Sequence, residues 1–264
     1  MKKLSLVSIL VIIISAVFAH EYILLADKFR VKRGEDLGMH LFVSDGFNIQ
    51  LERPFQKEIT TKFELVTSGG SVDLTQQNNG KLPILNRKVD FEGGGLFYMD
   101  RSFARIILPT AKFFDYLKED HIEGIDSIVD KTRIEQRERY TRYIKSLVQS
   151  EEKYSDTLYK LITGQRLEII LLQNPYLLKT GDVLQAQVFF EGKPLTGKMI
   201  IARNRTGDQP SLTLLSRTNL KGICTFKLTR KGDWFLHATH MIPCPNKNES
   251  DWESFWTSYS FGLD

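Results

Sequence analysis

The sequence predicts a mainly β protein: two β-sandwich-like regions, the second immunoglobulin-like, with a helical insertion between them. Three observations carry this reading. Up to about residue 108, apolar residues recur at every second position between glycine-bearing turns, the period of a half-buried strand. Beyond Pro109 the apolar spacing lengthens to that of a helix. From Gln165 the alternation returns in short runs about 8–12 residues apart, punctuated by Gly and Pro, as in sandwiches. The boundaries follow: a signal peptide over 1–19, an N-terminal β region over 20–109, a helical insertion over 110–163 and a C-terminal sandwich over 164–264.

Each element has its own signal. Met1, Lys2 and Lys3 precede an apolar run from Leu4 to Phe18, and Val17 and Ala19 stand three and one residues before His20. A charged start, apolar middle and small-residue exit predict secretion and cleavage after Ala19. The run is shorter than the roughly 20 residues of a membrane span, and no later stretch can cross a bilayer. The mature chain is therefore expected to be exported, to the periplasm or its equivalent, with no span left after cleavage.

Phe29 and Val31 lead to a turn at Arg33-Gly34-Glu35, after which Leu37, Met39, Leu41 and Val43 alternate with polar or small residues. Phe63 and Leu65, a Gly69-Gly70 turn, then Val72 and Leu74 repeat that logic. Gly93 to Gly95 precede another apolar strand and match no phosphate-binding loop. Phe113, Phe114, Leu117 and His121 lie near helical spacing. Tyr140, Ile144, Leu147 and Val148 form a stripe among charges, which predicts a second, surface helix over Lys131–Gln149. Strands follow from Leu167, Val183 and Met199, then a hairpin turning at Arg230–Asp233, and finally the alternating Phe255, Thr257, Tyr259, Phe261 and Leu263.

Composition excludes some functions. Thirty-six basic residues face 32 acidic ones, and loss of Lys2 and Lys3 narrows the gap. The densest basic group, Lys131 to Lys145, alternates with acids, so no nucleic-acid partner is expected. No nucleophile elbow, zinc-protease helix, phosphate loop or Cys-x-x-Cys is present, and the reading is not that of an enzyme. Cys224 and Cys244 either form one disulfide or serve as separate thiols.

The chemistry lies at the cleavage point. Processing after Ala19 gives His20 a free α-amine, which closes a six-membered chelate with the imidazole Nδ1. An α-amine with a pKa of about 8 sheds its proton readily to a metal. Such nitrogens suit copper and nickel and also accept zinc. A second histidine is needed, from among His40, His121, His237 and His240. His237 and His240 are three apart and point to opposite faces of a strand. Met241 and Cys244 add soft donors, and Asp251 and Glu253 add carboxylates.

The segments "AHEYIL" at 19–24, "HLFVSDGF" at 40–47, "ERPFQ" at 52–56, "GGGLFYMDR" at 93–101, "GDWFLHATHMIPC" at 232–244 and "DWESFWTSYSF" at 251–261 resemble a bacterial exported family. Its members are labelled periplasmic components of cobalt/nickel-type ABC uptake systems, or NikM-like. The resemblance implies a periplasmic β-sandwich that handles transition metals. Carried over by position, it puts the first mature histidine at His20 and the late "HM" at His240 and Met241. His237 and Cys224 fall outside the family pattern. The expected metal site is therefore His20, His240 and Met241, holding nickel, cobalt or copper, with a metal ABC-type transporter or permease as partner. Two other classes compete. One is a copper oxidase built on a histidine brace, with Trp234, Trp252 and Trp256 as a substrate surface. The other is a structural or adhesive sandwich without metal.

Overall fold

The computed structural model describes residues 21–152 and 156–264, so the expected signal peptide and His20 lie outside the described residues. The N-terminal region contributes β1 (Glu21–Ala26), β2 (Arg30–Val31), β3 (Asp36–Asp45), β4 (Asn48–Arg53), β5 (Thr60–Thr67), β6 (Gly70–Asp73), β7 (Leu85–Lys88), β8 (Gly93–Arg101) and β9 (Ala104–Pro109). A helix α1 (Thr110–Glu119) follows, then the long strand β10 (Glu135–Ser150). The remainder supplies β11 (Leu167–Leu171), β12 (Val183–Phe190), β13 (Lys193–Pro194), β14 (Met199–Arg205), β15 (Leu212–Arg217), β16 (Ile223–Lys227), β17 (Gly232–Pro243) and β18 (Trp252–Leu263). The mainly β class read from alternation is therefore the class observed.

The expected helical insertion is half right. Phe113, Tyr116 and Leu117 bury one face of α1, as their three- and four-residue spacing requires. The second expected helix is corrected: Glu135–Ser150 is strand β10. It pairs parallel with β18 over Glu138–Ser146 and antiparallel with β9 and β8 along its other edge. From Tyr143 onward β10 is buried at every residue, so no solvent-facing stripe exists for periodicity to reveal. Its charges are matched by residues far away in the chain. Arg139 donates to Glu253, and Lys145 donates to Glu168.

Among the described residues the strands form three sheets. The largest has ten strands in the order β15-β14-β17-β18-β10-β8-β5-β6, with β2 and β9 also joined to β10. One sheet thus runs through both β regions, and β10 is the strand that joins them. A sheet of β1, β3, β4 and β7 and another of β11, β12, β13 and β16 complete the set.

Strand β18 shows how they stack. Ser258 and Ser260 donate hydroxyl hydrogen bonds to the carbonyls of Tyr22 and Leu24 on β1. The alternate residues face the other way: Phe255 packs on Phe190 of β12, and the Tyr259 hydroxyl donates to the Tyr159 carbonyl. The large sheet is therefore covered on one face by β1 and on the other by β11–β12. That double cover explains why β18 is buried along nearly its whole length. One extensive apolar core spans these layers, and a smaller one gathers α1 against Met241, Trp252 and Trp256. Burying each such side chain stabilises the fold by about 1.5–3 kcal/mol. No helix among the described residues is long and apolar enough to cross a membrane.

Candidate functional site

Strand β1 enters the structure at Glu21, the residue after His20, and its first residues lie against β18. The small hydroxyl side chains of Ser258 and Ser260 permit that approach, and Ser258 Oγ sits 2.7 Å from the Tyr22 carbonyl oxygen. Directly opposite Ser258 in the β17–β18 register stands His237. Residues paired across antiparallel strands share a face, so His237 lies on the β1 side. Tyr22, Arg142, His237 and Trp256 line the same tight crevice.

His237 is almost completely buried. Its Nδ1 lies 3.2 Å from the Thr257 carbonyl oxygen, so Nδ1 carries the hydrogen and the Nε2 lone pair is left pointing away. Burial, followed by the Arg203 guanidinium, pushes its pKa down to about 3, and the ring is neutral at physiological pH. Nε2 faces the Thr239 hydroxyl at 3.5 Å and Asp120 Oδ1 at 4.0 Å.

Asp120 caps the C-terminus of α1 and is 7% exposed. Its Oδ2 has no hydrogen-bond partner among the described residues. Burial, followed by the Glu21 and Glu138 carboxylates, raises its pKa well above the usual range, with Lys198 opposing. Glu21 is also buried; it accepts from the Gly46 backbone N–H at 2.9 Å and faces Arg203 at 3.5 Å. Gly46 can turn there because it adopts a φ of 63° at the β3–β4 hairpin.

An aromatic wall closes the far side. Trp256 lies 5.8 Å from the His237 ring and stacks parallel on Tyr116, also at 5.8 Å. Tyr116 donates to Glu138 Oε1 at 3.1 Å, and Ser254 donates to the same oxygen. Burial raises the Glu138 pKa to about 7 despite these bonds. The Arg142 guanidinium covers the Tyr22 ring at 4.0 Å and the Tyr140 ring at 4.6 Å.

The residues expected from the sequence are distributed otherwise. His240 sits on the opposite face of β17 and packs edge-on against Phe190 at 4.5 Å. Burial, then Lys198, pushes its pKa down to about 4. Met241 shares the His237 face but is four residues along the strand, in the apolar cluster under α1. His121, Lys198, His240 and Met241 border a small crevice of about 170 Å³. Both His40 nitrogens are occupied, by Glu52 and Asp27 at 2.7 Å each. Asp251 is held by Arg133 and Arg137, and Glu253 by Arg139 and Arg166. Cys224 and Cys244 are separate buried thiols, not a disulfide. All three tryptophans are buried and offer no exposed stacking surface. Among the described residues, no group of three or more His, Cys, Asp or Glu side chains forms a metal-binding cluster.

Sequence reasoning passed over His237, Asp120 and Glu21. The apolar Trp234-Phe235-Leu236 before His237 signals its burial, but nothing local signals that Asp120 folds back onto it.

The profile of a family described as a domain of unknown function, DUF4198, matches residues 17–242. The chain belongs to the DUF4198 family. No curated protein matches it. Among solved structures, the D0–D1 domain of intimin aligns at 12% identity over 90% of this chain and 96% of its own, with a TM-score of 0.21. Three N-terminal domains of the bacteriophage RB49 highly immunogenic outer capsid protein align at 8% identity over 91% of this chain and 59% of theirs, with a TM-score of 0.18. Superpositions this loose carry no functional information.

Proposed function

We propose that this DUF4198 protein is an exported transition-metal-binding protein whose ion is cargo, held by the α-amine and imidazole of processed His20 and by the imidazole of His237. Nickel, cobalt and copper are the candidate ions, and the NikM-like resemblance makes an ABC-type uptake system the candidate recipient. One observation carries the reading. The histidine on the β1 face of β17 is buried and neutral, its Nε2 meets the Thr239 hydroxyl at a long 3.5 Å, and β1 begins one residue after His20. A neutral imidazole is the form that binds a metal, and it has no proton to lose. His237 takes the role that the resemblance gave to His240, because His240 faces the β12 side of the sheet.

The test is calorimetric titration of Cu(II), Ni(II) and Co(II) into four proteins: the processed chain, the same chain with one residue added before His20, His237→Ala and His240→Ala. The extension converts the chelating amine into an amide and is expected to weaken binding by tenfold or more, as is His237→Ala. His240→Ala is expected to stay within about threefold of the processed chain. Equal affinities for processed and extended proteins would refute the amino-terminal chelate.

A further inference from the structure

We infer that Arg53, Arg101 and Arg142 form a binding site for a small oxyanion with two or more negative charges, a phosphate or a polycarboxylate, independently of the metal-binding reading above.

Two sheets bring these arginines together. Leu41 pairs with Leu24 of β1 and with Arg53 of β4, so Arg53 shares a face with Leu24 and with Tyr22, two residues earlier. The large sheet supplies Arg101 from β8 and, on one face of β10, Tyr140 and Arg142. The Tyr22 ring links the two layers, with the Arg142 guanidinium 4.0 Å from its centre and that of Arg101 at 5.6 Å.

The three cations lack counter-ions. Arg101 is 7% exposed, yet its Nη1 has no hydrogen-bond partner among the described residues, and the same holds for the buried Nε of Arg53 and of Arg142. None of the three forms an ion pair with a described carboxylate. The segments 1–20 and 153–155, outside the described residues, contain no acidic residue that could serve. Glu138, whose charge reaches Arg142, commits Oε1 to Tyr116 and Ser254. Elsewhere on β10 the arginines are matched: Arg137 holds Asp251, and Arg139 holds Glu253. Burial pushes the Arg101 pKa down to about 10 against the pull of Tyr22, and the Arg142 and Arg53 charges add to the fall.

The chemistry selects the ligand. A buried guanidinium without a counter-ion is costly, and a bound anion relieves that cost. Aromatic faces attract a cation but offer no lone pair to its N–H groups. Gln56 accepts from Arg101 Nη2 at 2.7 Å, which orients the guanidinium and leaves Nη1 for a ligand. Guanidinium forks match the paired oxygens of carboxylate and phosphate. Three of them favour a multiply charged oxyanion over chloride. Tyr22, Arg53, Tyr140 and Arg142 are half-buried, so the cluster opens to solvent with Arg101 deepest.

The test is calorimetric titration of inorganic phosphate and of citrate into the metal-free protein, in Tris chloride at constant ionic strength so that general charge attraction is screened equally. One-site saturation by at least one of them is expected, with a Kd below about 1 mM. Whichever binds more tightly tells a phosphoryl ligand from a polycarboxylate. Arg101→Met and Arg53→Gln are each expected to weaken binding by about tenfold or more. Arg217→Gln, whose arginine already pairs with Glu123, is expected to stay within about twofold. Arg101→Met is also expected to raise the Tm of the ligand-free protein, because it removes a buried charge that has no counter-ion. Should Arg101→Met not fold, the half-buried Arg53→Gln decides. No saturation by either anion up to about 10 mM, or an Arg53→Gln affinity equal to that of wild type, would overturn the inference. A lowered Tm in Arg101→Met with affinity retained would make that arginine structural alone and overturn it equally.

Discussion

Replacing Lys145 with methionine removes the cation that faces a carboxylate that is 2% exposed, since Lys145 Nζ lies 2.5 Å from Glu168 Oε1 and the lysine is itself 1% exposed. Methionine fills similar volume, so the packing cost is small. The electrostatic cost is not. Breaking a buried pair from one side destabilises by about 3–5 kcal/mol, because the remaining charge stays out of water. Glu168 keeps three other donors, the Thr163 backbone N–H at 2.5 Å, its hydroxyl at 2.8 Å and the Gly164 N–H at 3.2 Å. Those bonds hold the expected loss near the lower end, about 3 kcal/mol. Glu168→Gln alone strands the ammonium, which keeps only the Leu161 and Ile169 carbonyls as acceptors, and is expected to cost about 2–3 kcal/mol. The double variant removes both charges and keeps an amide oxygen for Thr163. It is expected to lie only about 1–2 kcal/mol below wild type, a coupling of at least about 2 kcal/mol. Urea unfolding at pH 7, followed by fluorescence of the buried tryptophans, measures all four proteins. Single-variant losses that add to the double within about 0.5 kcal/mol would show that the pair is not a coupled, buried contact.

Glu138 makes stability depend on pH. Its folded pKa is raised from the ordinary 4.5 to about 7, so its contribution is fully present below pH 4.5 and is lost as pH rises through 7, by at most about 3 kcal/mol. Chemical denaturation between pH 4.5 and 8 is expected to show this slope in wild type and not in Glu138→Gln; parallel slopes would refute it. Asp251 works in reverse, since Arg137 and Arg133 hold its carboxyl well below the usual range against the cost of burial. Its contribution is present above pH 3.8 and is lost as pH falls further, and Asp251→Asn at pH 7 is expected to cost about 2 kcal/mol, discounted for the half-exposed arginines. A Cβ added at Gly262 would lie 2.6 Å from the Phe29 Cβ, so Gly262→Ala is expected to lose about 1–3 kcal/mol in the same urea assay, and an unchanged midpoint would show that β18 and Phe29 are not in contact.

Local pattern was enough for much of the fold. The period of two along Leu37–Val43 and Phe255–Leu263 belongs to strands wherever they are placed, and the apolar spacing after Pro109 buries one face of α1 whatever it packs against. The same kind of pattern failed on β10. Its charges read as a solvated helix face because their partners, Glu253 for Arg139 and Glu168 for Lys145, are 114 and 23 residues away. Only the assembled sheets bring them within reach. The site divides in the same way. The proposed amino-terminal chelate of His20 is argued from processing chemistry, from Ala19 and His20 alone, and lies outside the described residues. That His237 and His240 point to opposite faces also follows from strand period. Which face meets β1 does not, because it depends on Ser258 and Ser260 of a neighbouring strand admitting the β1 backbone. Nor does any local signal bring Asp120 to His237, since that contact exists only once α1 has packed on Trp252 and Trp256 and its C-terminal end has been carried over β17.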